Sequence, residues 1–347
     1  MADTPAHTYL DVDRFLETIV DARALATAFD LGLIDAVADG PATRAALATR
    51  LGIEASGLDL LLDLLAASGV IADDAGARAP ETVRLSERFE ATLRYRELLE
   101  AKLDLLLSVA VPDLLLGFTD LVTDVPRFMT RSRMFQLFDY QRATELAPGN
   151  EEWTQRWVRF TTALTAHEAA ACLERHDFSG YRRLLDVGGN SGEFAVRICA
   201  AHPHLSATIL DLPVVCRIGE AHVGRTVEGS RIRFLAGDAR RDDWPEGMDV
   251  VTFKSMLHDW PDEETTVLLA RARRALRPGG TLLIFERTKM ELRSRPLPCS
   301  LVPMLLFARS FRDPDWYQSR LEEAGFTRIK TQRFALDTPF MLVAGIA

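Results

Sequence analysis

The sequence has only four cysteines, at positions 172, 199, 216 and 299, and no two of them form a Cys-x-x-Cys pair. This scarcity excludes a fold held together by disulfides, and the lack of paired spacing gives no zinc signature. Basic residues are also in deficit, with 41 Lys and Arg against 50 Asp and Glu and a formal net charge of −9. Proteins that bind nucleic acid through its phosphates are usually basic. We therefore predict no metal site and no nucleic-acid partner.

Hydrophobic runs long enough to cross a bilayer are also missing. The most apolar stretches, residues 103–118 and 297–308, are interrupted by Pro, Asp or Cys-Ser, with Pro112 breaking the first. Each is shorter than the roughly 20 residues that a membrane helix needs. Residues 1–7 lack the basic and then apolar order of a signal peptide. These features predict a cytoplasmic protein that makes no membrane contact.

The composition that remains is ordinary for a globular protein, with 48% hydrophobic and 26% charged residues. A length of 347 residues favours two domains. We predict one domain over residues 1–100 and a second over residues 101–347. The second begins with a helical region to about residue 180 and continues as an α/β region over residues 181–347.

The first domain has the sequence pattern of a helix-turn-helix. Apolar residues recur at helical spacing over residues 15–29, and two short helices are predicted over residues 44–51 and 58–68. Thr43 and Ser56 are predicted to cap these two helices, because short hydroxyl side chains accept hydrogen bonds from free helix N–H groups. Residues 15–29 have no obvious partner in so small a unit, which predicts a homodimer.

A hairpin predicted over residues 70–85, with its turn at 73–79, completes a winged-helix-like unit. Such a unit suggests either DNA binding or a structural and dimerisation role. The second helix of the pair carries two Asp and no Lys or Arg. Reading DNA needs cations for phosphates and donors for base edges. We therefore predict the structural role, with a DNA-binding regulator as the alternative.

Residues 181–347 alternate strand-length apolar runs with helical patterns. Such alternation with short connections predicts an α/β fold in which helices cover both faces of a parallel sheet. Ligands of these sheets bind outside the carboxyl ends of the strands. The predicted strands cover residues 184–187, 207–210, 232–236, 250–253, 281–286 and 340–345, and the predicted helices cover 194–201, 214–223, 263–276 and 316–324.

Polar and glycine residues follow the predicted strands. The loop over residues 186–192 is glycine-rich but lacks the G-x-G-x-x-G order, so the dinucleotide fingerprint is not met. Asp186 and Glu193 flank this loop, and their charge disfavours a pyrophosphate and suits a cationic ligand. Asp211 ends the second strand, where a carboxylate can accept both ribose hydroxyls. Asp238 ends the third, where a carboxylate can meet an adenine amino group.

This ordered set of motifs resembles the class I S-adenosylmethionine-dependent methyltransferases. More narrowly, it resembles the caffeic-acid-type O-methyltransferases, including bacterial members of antibiotic and other secondary metabolism. The resemblance spans nearly the whole chain. It implies an N-terminal, mainly helical, winged-helix-like dimerisation domain followed by a Rossmann-like methyltransferase sheet. It rests on Leu185-Asp-Val-Gly-Gly-Asn-Ser-Gly192, Asp211-Leu-Pro213, Gly237-Asp238, Lys254-Ser-Met-Leu-His-Asp-Trp260, Leu276-Arg-Pro-Gly-Gly280 and Glu323-Ala-Gly-Phe326.

The resemblance implies S-adenosyl-L-methionine as the cofactor, released as S-adenosyl-L-homocysteine. It also implies a homodimer formed through the first domain and substrate binding by the helical region of about residues 101–180. Lys254 and Trp260 match positions that contact the cofactor through the backbone or by packing over the adenine. The implied cofactor-binding residues are Asp186, Gly188, Asp211, Asp238, Ala239, Lys254, Ser255 and Trp260.

His258 matches the catalytic base of the family, and Glu286 matches a glutamate that orients it. A histidine suits this role because its pKa lies near the working pH. Asp259 is predicted instead to cap the helix that begins near Pro261. One departure concerns the Gly-Arg-Glu-Arg-Thr stretch of many members, whose Glu is a second acid beside the base. Phe311 stands about where that Glu would be, so one acid of the pair is predicted to be missing.

The predicted reaction transfers a methyl group to a hydroxyl of a small aromatic or polyketide-like metabolite. Binding would align the acceptor oxygen with the methyl–sulfur bond. Two alternatives remain open: methyl transfer to nitrogen or carbon, and a non-methylating reaction that keeps the cofactor. The acceptor pocket is predicted to include Phe160, Met304, Phe307 and Phe311.

Overall fold

The computed structural model describes residues 7–72, 82–293 and 297–347. The chain divides into two compact units, Met1–Asp124 with Arg293–Leu305 and Val125–Leu292 with Leu306–Ala347. The division falls later than the predicted boundary near residue 100, and a short segment near residue 300 returns to the first unit. The turn predicted over residues 73–79 lies outside the described residues.

The first unit is mainly helical. It contains a short antiparallel pair of strands, β1 (Ala42–Thr43) and β2 (Thr82–Val83). An isolated antiparallel bridge also pairs Ile71 with Leu85. This arrangement fits the predicted winged-helix-like unit. The helices are α1 (Ile19–Asp30), α2 (Leu33–Ala38), α3 (Arg44–Leu51), α4 (Ala55–Ala67), α5 (Glu87–Thr92), α6 (Arg96–Asp104) and α7 (Val111–Thr123).

The helix caps of this unit are only partly as predicted. Thr43 Oγ1 accepts a hydrogen bond from the N–H of Ala46 at 3.2 Å, so the predicted cap of α3 is confirmed. The predicted cap at Ser56 is wrong, because α4 begins at Ala55 and Glu54 precedes it. Ser56 therefore lies inside the first turn, where its hydroxyl donates to Glu54 Oε1 at 3.0 Å.

Part of the apolar surface around α1 is buried inside the unit. Phe15 packs edge to face on Phe89 with 4.9 Å between ring centroids, and Ala22 has no exposed surface. Ile19, at the start of α1, is 42% exposed, so the predicted face without a partner is covered only in part. Large exposed apolar side chains also lie on α7, where Leu116 is 84% exposed and Leu115 is 69% exposed.

Pro112 does not interrupt its helix, contrary to the sequence prediction. The turn over Leu105–Ala110 has π-helical hydrogen bonding, and α7 begins directly after it with Pro112 in its first turn. Proline removes a hydrogen bond inside a helix, and the π-helical turn directly before Pro112 is the irregularity at which this helix accommodates the ring. The stretch Glu87–Thr123 is therefore one long helical segment. Among the described residues it alone has the length and composition of a membrane helix, which a buried helix of a soluble protein also shows.

The second unit is built on a seven-stranded sheet with the order β5-β4-β3-β6-β7-β9-β8. From β5 to β7 the neighbouring strands are parallel, as predicted. The last predicted strand is antiparallel to both its neighbours, because a tight hairpin joins it to β8, which was not predicted. The strands are β3 (Arg183–Val187), β4 (Ser206–Asp211), β5 (Ile232–Ala236), β6 (Met248–Lys254), β7 (Leu276–Arg287), β8 (Thr327–Ala335) and β9 (Pro339–Ile346).

Helices cover both faces of this sheet. Strand side chains such as Ile209 pack with residues of α10, α11 and α12 on one face, and those such as Val251 pack with α13 and α15 on the other. Both faces are thus apolar, which explains the continuous hydrophobic strands. The helices of this unit are α8 (Val125–Arg131), α9 (Arg133–Leu137), α10 (Asn150–Leu173), α11 (Glu193–Ala201), α12 (Pro213–Val223), α13 (Asp262–Ala275) and α15 (Pro314–Glu323). The helix α14 (Val302–Leu306) lies almost wholly in the segment that belongs to the first unit.

The strand order reverses beside β3. The chain passes from β3 to β4 and β5 on one side and then crosses to β6 on the other. In open α/β sheets such a reversal opens a crevice at the carboxyl ends of the strands. The loops after β3 and β6 border that crevice.

All four cysteines are buried and have free thiols. Burial raises the pKa of each thiol, to about 11 for Cys199 and about 12 for Cys216. The pKa values of Cys172 and Cys299 are raised by the same cause. The native thiols are therefore protonated at neutral pH.

Candidate functional site

The glycine-rich loop turns sharply as it leaves β3. Gly188 has a φ of +67°, a region that residues with a side chain rarely adopt. A Cβ on Gly188 would lie 2.5 Å from Met256 Cγ, and one on Gly189 would lie 2.6 Å from Asp186 Oδ2. The loop backbone therefore packs directly against the ends of β3 and β6, and side chains would force it away.

Two buried polar atoms beside this loop have no hydrogen-bond partner among the described residues, namely Asp186 Oδ2 and Ser255 Oγ. The other carboxylate oxygen, Asp186 Oδ1, accepts a hydrogen bond from Thr252 Oγ1 at 2.6 Å. Burial raises the pKa of Asp186 to about 7. Buried polar atoms are normally paired, so both atoms are candidates for binding a polar ligand.

Asp211 is fixed at the end of β4 by two backbone groups. The N–H of Asn190 donates to Oδ2 at 2.8 Å, and the N–H of Leu212 donates to Oδ1 at 2.7 Å. Burial raises the pKa of Asp211 to about 6. Each carboxylate oxygen can accept a second hydrogen bond, so Asp211 can bind a ligand diol without losing its own anchors.

Glu193, the second predicted acid of the loop, is already paired. Its carboxylate lies 2.6 Å from His222 Nε2 and accepts a hydrogen bond from Arg197 Nε at 2.7 Å. These partners outweigh its burial and lower its pKa. The carboxylates without a basic partner at the carboxyl ends of the strands are therefore Asp186 and Asp211 rather than Glu193.

An arginine that was not predicted from the sequence lies among the residues predicted to contact the adenine. Asp238 accepts hydrogen bonds from Arg240 Nε at 3.0 Å and Nη2 at 2.8 Å, which lowers the pKa of Asp238. The guanidinium of Arg240 lies 4.1 Å from the ring centroid of Trp260. The carbonyl of Ala239 accepts a hydrogen bond from the indole of Trp244 at 2.9 Å. The structure thus brings Asp238 and Trp260 together through Arg240.

Lys254 has its side chain committed to an ion pair. Its Nζ lies 2.5 Å from Glu168 Oε2 on α10, and Arg287 Nη2 lies 2.6 Å from the other oxygen of that carboxylate. These two cations outweigh the effect of burial and lower the pKa of Glu168. The side chain of Lys254 is therefore held against α10, and its predicted cofactor contact would be made by the backbone.

His258 lies on a short turn that a single carboxylate holds. Glu286 Oε1 accepts hydrogen bonds from the N–H groups of Met256 and Leu257, both at 2.7 Å, and Oε2 lies 2.8 Å from His258 Nδ1. Burial alone would lower the pKa of His258, but the carboxylates of Glu286 and Asp259 outweigh it and raise that pKa. Glu286 thus both orients the imidazole and increases its basicity.

Asp259 is part of the site, and its predicted role as a helix cap is wrong. Pro261 precedes α13, and no side chain caps that helix. Asp259 Oδ1 instead lies 3.5 Å from His258 Nε2, and Oδ2 accepts a hydrogen bond from the Tyr140 hydroxyl at 2.9 Å. The imidazole therefore has a carboxylate near each ring nitrogen, although Phe311 stands where the second acid was expected.

Aromatic rings surround the imidazole. The ring of Phe311 lies 5.4 Å and that of Phe307 lies 6.4 Å from the His258 ring, centroid to centroid. Phe307 also contacts Phe135 and Phe138. Phe307 and Phe311, two of the predicted pocket residues, therefore lie beside His258 in the second unit.

The two other predicted pocket residues are placed differently. Phe160 is buried on α10 in the second unit. Met304 belongs to the first unit, so its part in the pocket stays a prediction. Among the described residues, no three His, Cys, Asp or Glu side chains form a group able to hold a metal ion.

Three contacts of the site were missed by sequence reasoning: those of Tyr140, Glu168 and Arg240. Tyr140 and Asp259 are 119 positions apart, and Glu168 and Lys254 are 86 positions apart. No local motif marks pairs at such distances. Arg240 stands two residues after the recognised Asp238, so its charge beside that acid was the one available signal.

Comparisons with known proteins identify both halves of the chain. A family model described as an O-methyltransferase domain matches residues 138–327, and one described as an O-methyltransferase dimerisation domain matches residues 14–92. The chain is 29% identical to 3-hydroxy-5-methyl-1-naphthoate 3-O-methyltransferase of Streptomyces sahachiroi, over 93% of this chain and 91% of that protein. It is 30% identical to the N,N-dimethyltransferase OxyT of Streptomyces rimosus, over 90% of this chain and 89% of that protein.

The fold is also found among solved structures. Human N-acetylserotonin methyltransferase in complex with S-adenosylmethionine matches with a TM-score of 0.70 and 22% identity, over 94% of this chain and 93% of that one. At this identity the match shows a shared fold.

Proposed function

Since this chain belongs to the O-methyltransferase family and uses S-adenosylmethionine as its methyl donor, we propose that it methylates a hydroxyl of a small aromatic or polyketide-like metabolite. In this proposal His258 is the general base and Glu286 orients it. The protein would act in the cytoplasm as a homodimer.

The residues at the carboxyl edge of the sheet fit the cofactor. When bound, S-adenosylmethionine supplies a methyl group activated by a positively charged sulfur. Asp211 has spare acceptor capacity for the ribose hydroxyls. The unpartnered atoms of Asp186 and Ser255 are available for the polar groups of the methionine end. The excess of carboxylates here favours a cationic ligand over a phosphate.

The observation that carries the proposed mechanism is the contact between His258 Nδ1 and Glu286 at 2.8 Å. With the neutral ring donating through Nδ1–H to this carboxylate, the lone pair is on Nε2. Nε2 can then accept the proton of an acceptor hydroxyl as the methyl group is transferred. Positive charge that develops on the ring would be stabilised by Glu286 and Asp259.

The acceptor class follows from the rings around the base. Phe307 and Phe311 present apolar surfaces next to His258, and planar aromatic ligands pack well against such rings. One relative bears the name of a naphthoate 3-O-methyltransferase, which supports a hydroxylated aromatic acceptor.

The test is a methyl-transfer assay with labelled cofactor on hydroxynaphthoates, phenols and matched aromatic amines. We expect hydroxyl acceptors to be methylated and His258→Ala to lower kcat by about 100- to 10,000-fold, the usual contribution of a general base. His204→Ala, at an exposed histidine, is the matched control and should retain wild-type turnover.

Two results would contradict the proposal. Methylation of amines but of no hydroxyl would assign nitrogen as the acceptor, as the name of the OxyT relative describes for that protein. Near-full turnover by His258→Ala, on a hydroxyl whose pKa is well above the assay pH, would remove His258 as the base.

A further inference from the structure

The turn that carries His258 is held by two side chains, one that accepts hydrogen bonds from its N–H groups and one that donates to its carbonyl groups. Glu286 accepts hydrogen bonds from the N–H groups at its start, those of Met256 and Leu257. Arg312 donates hydrogen bonds to its carbonyl groups, from Nη1 to Leu257 O at 2.9 Å and from Nη2 to Trp260 O at 2.5 Å. Residues 256–260, which comprise this turn and one residue on either side, are thus bound through both their N–H groups and their carbonyl groups.

Arg312 is itself fixed in place. Its third donor, Nε, bonds Asp262 Oδ1 at 2.8 Å at the start of α13, and its guanidinium lies 4.6 Å from the ring centroid of Trp316 on α15. Only 11% of its side chain is exposed. A planar guanidinium with several fixed donors can hold two carbonyls at once, which the single ammonium of lysine does less well.

We propose that Arg312 is a positioning residue for His258, which it serves by clamping the carbonyls of the turn that presents the imidazole. This proposal rests on the proposed function, in which His258 is the base. Arg312 makes no contact with the imidazole, so it acts through the backbone on either side of the ring. Without it, the same two carbonyls would keep only the longer hydrogen bonds from Thr265 Oγ1, at 3.3 Å each, while the N–H groups would stay bound to Glu286.

The charges around His258 determine in which direction its pKa should change when Arg312 is replaced. The ring faces Glu286 on β7 and Asp259 on its own turn, with Tyr140 bound to Asp259, while Arg287 acts on it with the opposite sign. Removal of a nearby positive charge would by itself raise the pKa of His258. Loss of alignment with Glu286 would lower that pKa, because the stabilising carboxylate contact is weakened.

The test compares Arg312→Met and Arg312→Lys with the wild-type protein. We expect Arg312→Met to lower kcat by about 10- to 100-fold, since small misplacements of a catalytic group have effects of that order. Its affinity for S-adenosylhomocysteine, measured by calorimetry, should stay unchanged. The pKa of His258, followed by NMR titration of the imidazole, should fall. Arg312→Lys should lie between wild type and Arg312→Met in kcat and in the pKa of His258.

Arg320→Met is the matched control, because Arg320 also lies over Trp316, at 5.7 Å, but bonds only the exposed Glu323 nearby. It should match the wild type. An unchanged or raised His258 pKa in Arg312→Met would overturn the proposal, as would equal losses of turnover and cofactor affinity. Because the titration does not depend on turnover, it still reports positioning if His258→Ala shows that the base assignment is wrong.

Discussion

His258 illustrates how neighbouring side chains set the chemistry of a single residue. Its imidazole is largely buried, which disfavours the charged form. The two nearby carboxylates, Glu286 and Asp259, outweigh that effect and raise its pKa. In its proposed role as general base, His258 must be neutral to accept a proton, so the rate should fall as the pH drops through this raised pKa.

At this scale we predict the effect of Glu286→Gln on the pH–rate profile. Loss of the carboxylate removes the main cause that raises the pKa of His258, so the acid limb of kcat/KM should move to lower pH. The plateau rate should also fall, by about tenfold or more, because an amide oxygen holds the ring less firmly. Rates measured across pH 5 to 9 check both parts. An acid limb that stays in place or moves to higher pH would show that Glu286 does not control the ring.

The glycine-rich loop after β3 shows how an element depends on what surrounds it. Gly188 has a positive φ, and Met256 of the neighbouring strand's loop fills the space next to its Cα. The loop that would cradle the cofactor and the turn that carries His258 therefore pack on each other.

We predict that Gly188→Ala weakens cofactor binding and lowers the free energy of unfolding by about 1–3 kcal/mol, the usual cost of forcing a side chain into this backbone region. Gly180→Ala is the control, since a Cβ there meets nothing within 4 Å and its φ is not positive. Calorimetric titration with S-adenosylhomocysteine and denaturant unfolding provide the two measurements. Equal behaviour of the two variants would mean that the loop tolerates a side chain.

Sequence reasoning succeeded where periodicity is strong and failed where contacts are distant. The strands β3, β4 and β6 and most of β7 are buried on both faces, so their apolar runs stand out in the sequence. The edge strand β8 is mostly polar and exposed, so it carries no such run. The direction of β9 follows from its hairpin with β8 and was missed with it. Glu286 and His258 came from a recognised motif, whereas Tyr140 and Arg312 reach the same turn from distant segments.

At the scale of the whole molecule, the dimerisation domain matches residues 14–92, where Ile19, Val20 and Leu60 are exposed apolar side chains. The exposed apolar side chains of α7 offer another surface in the same unit, and Leu116 is the most exposed of them at 84%. Apolar surface of this kind is typical of an interface between proteins.

We predict that Leu116→Glu, combined with Leu115→Glu, shifts the full chain from dimer to monomer, because two charges would have to be buried in the interface. Val227→Glu is the matched control, because Val227 is 91% exposed in the second unit. Light scattering at micromolar concentration gives the mass of each. A double variant that remains dimeric would place the interface elsewhere on the first unit.

The four buried thiols can report when each unit of the protein unfolds. Cys299 belongs to the first unit, and Cys172, Cys199 and Cys216 belong to the second. A protonated, inaccessible thiol does not react with an alkylating reagent, whereas an exposed thiolate does. The adduct at Cys299 therefore times the opening of one unit, and the adducts at the other three time the opening of the second. Peptide mass spectrometry can follow both in the same sample, without any engineered label.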